Sequence, residues 1–262
     1  MARALERLIH IQKTISLPSV AERNYTVKEP SEKLWIPRDR PFDPVPPVKV
    51  IIVGAGIAGI AASILIPRKV ANLAYKIFEK QDAVFSTYTM ILSNFGVMAP
   101  NIPNYFAVVQ ANTNGQGGTF PLQTEISATY ISKIIRKVQS QGYRAIYPSQ
   151  EATADFNEII TGYFDNKVIG DECDGWWKSG FGKSRPLVSW PGTGHHRFDI
   201  SREPRWEDFV FERSEEGTRN RFEYFGNGWT ERERTGGNTA LTSYLKEVGK
   251  IDIATLHENW ND

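Results

Sequence analysis

Hydrophobic positions change their period twice along the chain. Residues 48–53, VKVIIV, form a β-branched run that predicts a strand, and an apolar stretch over 57–68 predicts a helix. A second strand is predicted over 73–78, closed by an acid, Glu79. Further on, Asn104 to Val109 has the aromatic and β-branched content of a buried strand, and a Gly-rich turn after it opens into a helix from about Leu122 to Gln139. In that helix Ile126, Tyr130, Ile131, Ile134, Ile135 and Val138 recur at helical spacing, with Lys133, Arg136 and Lys137 on the other face. The sequence reads as α/β, with strands 48–53, 73–78 and 104–109 forming a small parallel sheet covered by two helices.

Between the first strand and the first helix, glycines 54, 56 and 59 stand in G-x-G-x-x-G spacing. Strand, glycine turn, helix, second strand and terminal acid together are the fingerprint of a Rossmann-like dinucleotide-binding βαβ unit. In such a unit Gly54 makes the tight turn, Gly56 lets backbone approach a pyrophosphate, and Gly59 lets helix and strand pack closely. The pyrophosphate would rest on free amides at the helix N-terminus, and Glu79 would accept from a ribose 2′-hydroxyl. That points to FAD or NAD rather than NADP. Two plainer readings compete: Val50 to Ile66 is an uncharged run near the lower length limit of a membrane span, and the unit can also be a structural remnant that folds without cofactor. Three glycines within the run, with Pro67 and Arg68 at its end, favour strand, turn and helix over a span.

The 262 residues are 40% hydrophobic and 23% charged with a formal net charge of +1, so a real core in one or two domains is expected. The near-neutral balance argues against a nucleic-acid or anionic-membrane partner and for small-molecule targets. Cys173 is the single cysteine, which forbids an internal disulfide and fits a reducing cytoplasmic location. The first residues, MARALERLIHIQ, lack the continuous apolar region of a secretory signal. Three regions follow: an extended Pro-rich arm over 1–47, a reduced dinucleotide-binding domain over 48–140, and a C-terminal region over 141–262. The last holds five of the seven tryptophans, at positions 176, 177, 190, 206 and 229, to fill a core or line an apolar pocket.

Other chemistry is sparse. His195 and His196, with Asp199 nearby, are the candidate acid–base groups, although adjacent histidines point in different directions and at most one would face a pocket. No third ligand with recognisable spacing accompanies the pair, so no metal site is expected. Asp171, Glu172 and Asp174 surround Cys173 and disfavour a thiolate, making it structural. Ser201 lacks the glycines of a nucleophile elbow. The charged stretch around Arg213, Glu215, Glu216, Arg219 and Arg221 reads as a solvated turn.

Several stretches resemble one family. VIIVGAGIAGIAA followed by YKIFEK, then IPNYFAVVQANTNGQGG, CDGWWK, SWPGTGHHRF, WEDFVFE, NRFEYFGNGWT and LTSYL stand in the order found in flavin-containing Baeyer–Villiger monooxygenases, particularly fungal ones of secondary metabolism. The resemblance covers most of residues 45–246. It implies FAD held by Gly54, Gly56, Gly59 and Glu79, with Ala111, Asn112 and Gly117 toward the flavin end. It also implies NADPH as co-substrate, O₂ as oxidant, and a ketone, such as a polyketide or terpenoid, converted to an ester or lactone. Between Lys80 and Asn104 the family carries an NADPH domain that has no counterpart here. Where the family has Val-Gly-Gly-Thr-Trp, this chain has Val84, Phe85, Ser86, Thr87 and Tyr88. No residue matches the family's catalytic Asp or Arg. Surface otherwise covered by the second nucleotide domain would be exposed, for which a homodimer or low stability is the expected consequence. Two other classes remain open: a redox-free cyclase, isomerase or dehydratase, and a non-catalytic binding or scaffold protein.

Overall fold

The computed structural model describes residues 39–42, 45–79, 94–109, 111–116, 119–172, 174–175, 177–178, 186–213, 220 and 222–237. Strand β1 (Val48–Val53), helix α1 (Ile57–Lys69) and strand β2 (Leu73–Phe78) form the expected βαβ unit. β1 and β2 pair in parallel, Val48 opposite Leu73 through Val53 opposite Phe78. The run from Val50 to Ile66 is thus split between strand and helix. No described helix is long and apolar enough to cross a membrane.

Strand β3 (Asn114–Gln116) leads into helix α2 (Phe120–Gln141), whose first turn is closed by the Thr119 hydroxyl accepting from the Leu122 amide. Gly142, in the left-handed conformation at φ 66°, ends it. The expected apolar face is buried at Ile126, Tyr130, Ile131, Ile134 and Ile135, while Lys133 reaches outward to Glu203 at 2.8 Å. Lys137 lies over the Trp206 ring, 4.8 Å from its centroid. Strand β4 (Tyr143–Pro148), helix α3 (Gln150–Asp165), strand β5 (Ser189–Thr193), helix α4 (Gly194–Ile200) and strand β6 (Phe209–Arg213) follow. β3 pairs in parallel with β5, and β4 pairs antiparallel with β6.

The expected third parallel strand, 104–109, is not a strand. Asn104 and Val109 both have positive φ, 58° and 62°, which a strand cannot accommodate. The Asn104 side chain instead bridges to β4, donating to the Arg144 carbonyl and accepting from the Ile146 amide. Phe106 and Val108 still deliver their apolar side chains to the core. That core joins Ile52 of β1, Ala62 and Ile66 of α1, the buried face of α2, Ile146 of β4 and Phe209 of β6.

Only one side of the β1–β2 sheet reaches this core. Ile52, Val48 and Val50 face it, whereas Ile51 and Val53 on the opposite side are 68% and 83% exposed. Ile57, Ile60 and Ile64 add an exposed apolar stripe along α1, and Phe78 is exposed as well. Parallel sheets in α/β proteins are normally covered on both faces, so this unit shows a face that such folds bury.

Candidate functional site

The glycine turn is built as its spacing predicts. Gly54 has φ +97°, and a Cβ placed on it would meet nothing within 4 Å, so the loop is open on that side. Gly59 has no such room: a Cβ there would lie 1.9 Å from the Gly54 carbonyl oxygen, so only glycine lets α1 pack against the turn. Gly56 is the N-cap of α1 and supplies no side-chain cap, which leaves the first-turn amides to other acceptors. Their dipole end is positive and suits an anion.

Glu79 follows the last residue of β2 and reaches back across the sheet end, where its Oε2 accepts a hydrogen bond from the Ala55 amide. The Gly54 amide donates to the Phe78 carbonyl at 2.7 Å, pinning the turn to the same strand end. The acid therefore stands at the mouth of the glycine turn. These residues fit a dinucleotide: an open cradle at Gly54, uncapped helix amides, and a carboxylate at the strand end where a ribose is expected.

The structure brings the other candidates together in a second place. Ala111 and Asn112 are buried beside β5, with the Asn112 amide nitrogen Nδ2 donating to the carbonyls of Pro186 and Ser189 at 2.9 and 3.1 Å. Asn112 has φ 58°, a left-handed conformation that Asn tolerates better than most residues. From this turn β3 runs alongside β5, Asn114 opposite Ser189 and Gln116 opposite Thr193. Thr193 then caps α4, accepting from the His196 amide at 3.2 Å. Gly117 and Cys173 lie outside the described residues, as does the Val84–Tyr88 stretch.

Of the two histidines, the structure singles out His196. The Trp190 indole, 2% exposed, donates from Nε1 to His196 Nδ1 at 2.9 Å. Trp190 also packs with Phe95 and Phe156, at ring-centroid distances of 5.8 and 5.9 Å. His195 is exposed without a comparable contact among the described residues. There, too, no group of three or more His, Cys, Asp or Glu side chains is gathered to hold a metal.

Sequence reasoning missed Arg197. This side chain is 1% exposed and donates to the Gln123 carbonyl, to Gln123 Oε1, and to Ser127 Oγ at 2.6 Å. Its partners are neutral, and burial pushes the guanidinium down to about 10 from its ordinary 12.5. The bond joins α4 to the first turns of α2 and so fixes the orientation of the residue before it. An arginine in a charged, loop-like HHR stretch gives no sequence signal of burial; only the pairing of β3 with β5 brings it against α2.

No protein-family model matches the chain. Among curated proteins it is similar to the FAD-binding monooxygenase stcW of Emericella nidulans, 29% identical over 148 residues, which cover 56% of this chain and 24% of that protein. It is also similar to the FAD-binding monooxygenase moxY of Dothistroma septosporum, 26% identical over 144 residues, covering 55% of this chain and 22% of that one. A third relative is the probable FAD-binding monooxygenase ltbD of Aspergillus luteorubrus, 28% identical over 153 residues, covering 56% and 30%. The chain spans between about a fifth and a third of the length of these relatives. Among solved structures, a closed crystal structure of cyclohexanone monooxygenase matches with TM-score 0.41 and 26% identity, covering 47% of this chain and 23% of that one. Oxidised steroid monooxygenase bound to NADP matches with TM-score 0.40 and 17% identity, again covering 47% and 23%. Over somewhat more than half of its length, the chain resembles the FAD-binding monooxygenases of fungi.

Proposed function

We propose that the chain binds FAD through its glycine turn and is the FAD-binding part of a Baeyer–Villiger-type monooxygenase of secondary metabolism. The observation that carries this is the G-x-G-x-x-G turn itself: Gly59 packed without room for a Cβ, an uncapped α1, and Glu79 hydrogen-bonded at its mouth. The relatives are FAD-binding monooxygenases, and this similarity supports the cofactor and reaction class. Gly54, Gly56 and Gly59 hold the pyrophosphate, Glu79 the adenosine ribose, and the Ala111–Gly117 loop the flavin end. When bound, FAD supplies the redox chemistry, with NADPH as reductant, O₂ as oxidant and a polyketide or terpenoid ketone as substrate. The chain's own residues bind and orient the cofactor. A cytoplasmic setting suits the single cysteine, and a homodimer would cover the exposed Ile51 and Val53 face.

The test is an absorbance spectrum of the purified 262-residue chain after desalting. Bound flavin is expected in the native chain, and Gly56→Val, which puts a branched side chain where the pyrophosphate approaches, is expected to abolish its retention. Equal flavin content in the two proteins would overturn the assignment. Adding NADPH under air and following flavin bleaching then separates a redox role from a redox-free or scaffold role.

A further inference from the structure

Arg197 is the most deeply buried charge among the described residues, and no carboxylate there neutralises it. Its guanidinium meets the Gln123 carbonyl, Gln123 Oε1 and Ser127 Oγ, all of them neutral. Nη2 carries two protons and has one acceptor, the Ser127 hydroxyl at 2.6 Å. Hydrogen bonds to neutral groups offset only part of the hydration that a buried charge gives up, so such charges are normally paired. A second group in the same place is also unsatisfied. Gln123 is fully buried, its Oε1 is taken by Arg197, and its Nε2 has no hydrogen-bond partner. Turning the amide over does not help, because Nε2 would then face the guanidinium donor. A buried N–H without an acceptor is rare in native proteins.

We propose that Arg197 and Gln123 Nε2 bind a small inorganic anion of the size of chloride, buried between α2 and α4. The surroundings add positive character and no opposing charge. The first turn of α2 contains no acidic side chain, and helix side chains tilt toward the N-terminus, so Gln123 points back at the positive end of the peptide dipoles. The two helices carry one acid each: Glu125 is exposed on α2, and Asp199 on α4 is exposed and pairs with Arg202 at 3.7 Å. One spherical ion accepts from guanidinium and amide N–H alike, without the directional demands of an oxyanion. A site so closed suits a single atom better than the several oxygens of a phosphate. A water would satisfy Gln123 but leave the guanidinium charge uncompensated. The inference is independent of the FAD reading, because neither residue belongs to the glycine turn.

The experiment is paired urea unfolding of the full chain in sodium chloride and in sodium gluconate at equal ionic strength, with the chlorine NMR line width of the chloride followed alongside. Chloride is expected to raise the folded-to-unfolded ratio, approaching about tenfold for each tenfold rise in its concentration as the site fills, and the chloride line is expected to broaden. Gln123→Glu supplies a carboxylate to Arg197 from within the chain. In gluconate this variant should unfold at higher urea than the native chain, and its chloride dependence should vanish. Arg197→Met removes the charge and should abolish the dependence as well. Where one variant fails to fold, the other decides. Equal midpoints in the two salts for the native chain overturn the proposal and leave water as the partner of Gln123. A chloride effect undiminished in Gln123→Glu or in Arg197→Met overturns it too, because the ion then binds elsewhere.

Discussion

The βαβ unit around Gly54 and the β3–β5 pair around Trp190 are constructed in opposite ways. In the first, the contacts that shape the turn are local: β1 pairs with the strand that follows its own helix, and Glu79 closes on Ala55 only 24 residues away. In the second, the contacts span the chain, with Asn112 bonded to Pro186 and Ser189 at separations of 74 and 77 residues and Arg197 to Ser127 at 70. The first keeps one face of its sheet exposed; the second buries an indole and a guanidinium. The turn of the first is encoded by consecutive residues, although its apolar side still packs on α2. The distant pair is held by contacts between segments some 70 residues apart.

The largest effect should follow from Trp190→Ala. The indole is buried, packs with Phe95 and Phe156, and holds His196, so its removal leaves a cavity and strands the imidazole. A loss of about 3–5 kcal/mol is expected, read by urea unfolding. Because β3 and β5 depend on distant contacts, the near-UV circular dichroism of the aromatic cluster should fall with it. A loss below about 1 kcal/mol would mean that the cluster is not a cooperative part of the fold.

Gly59→Ala should come next, at about 1–3 kcal/mol, because the new methyl meets a backbone oxygen that cannot swing aside as a flexible side chain would. The damage should stay in the βαβ unit: FAD retention falls while the near-UV signal of the Trp190 cluster is preserved. Equal damage to both signals would show that the two regions are not separable.

This separation explains what the sequence disclosed. The βαβ unit was legible because strand, glycine spacing, helix and terminal acid are consecutive, and because Gly59 answers to a clash that any such unit would have. The α2 periodicity was legible for the same reason, each turn repeating its instruction. The 104–109 segment misled because its apolar residues do enter the core, but as side chains of an irregular loop whose course is set by Asn104 bridging to β4. Composition registers burial there and not backbone path. Of the candidate site, Gly54, Gly59 and Glu79 could be placed from spacing alone. The choice of His196 over His195 could not, since it depends on the direction of one ring relative to a strand whose partner lies some 75 residues earlier.

The exposed face sharpens the comparison from the other side. Ile51→Lys and Val53→Lys remove apolar surface that nothing among the described residues covers, so intrinsic stability should change by no more than about 0.5 kcal/mol. Self-association, followed by light scattering or sedimentation, should fall. A large loss of monomer stability would instead mean that the face is packed within the chain.

The smallest expected effect concerns alkaline pH and two groups that act with opposite sign. Arg197 has its folded value pushed down to about 10 by burial, so above that pH the native state sheds a proton that the unfolded chain keeps, and stability rises. Tyr130 on α2 is shifted the other way, first by burial and then by the charge of Asp208, so its folded value lies above its ordinary one. As pH climbs past about 10 the unfolded chain loses the Tyr130 proton while the native state retains it, and stability falls. Each group contributes a slope of at most about 1.4 kcal/mol per pH unit, and in the native chain the two oppose one another. Tyr130→Phe removes the falling contribution and leaves the rising one. The variant should therefore lose less stability than the native chain between about pH 9 and about pH 11 in paired urea titrations. Parallel curves would show that Tyr130 ionises alike in the folded and unfolded chains, and so is not sealed in the core that α2 shares with α1 and β4.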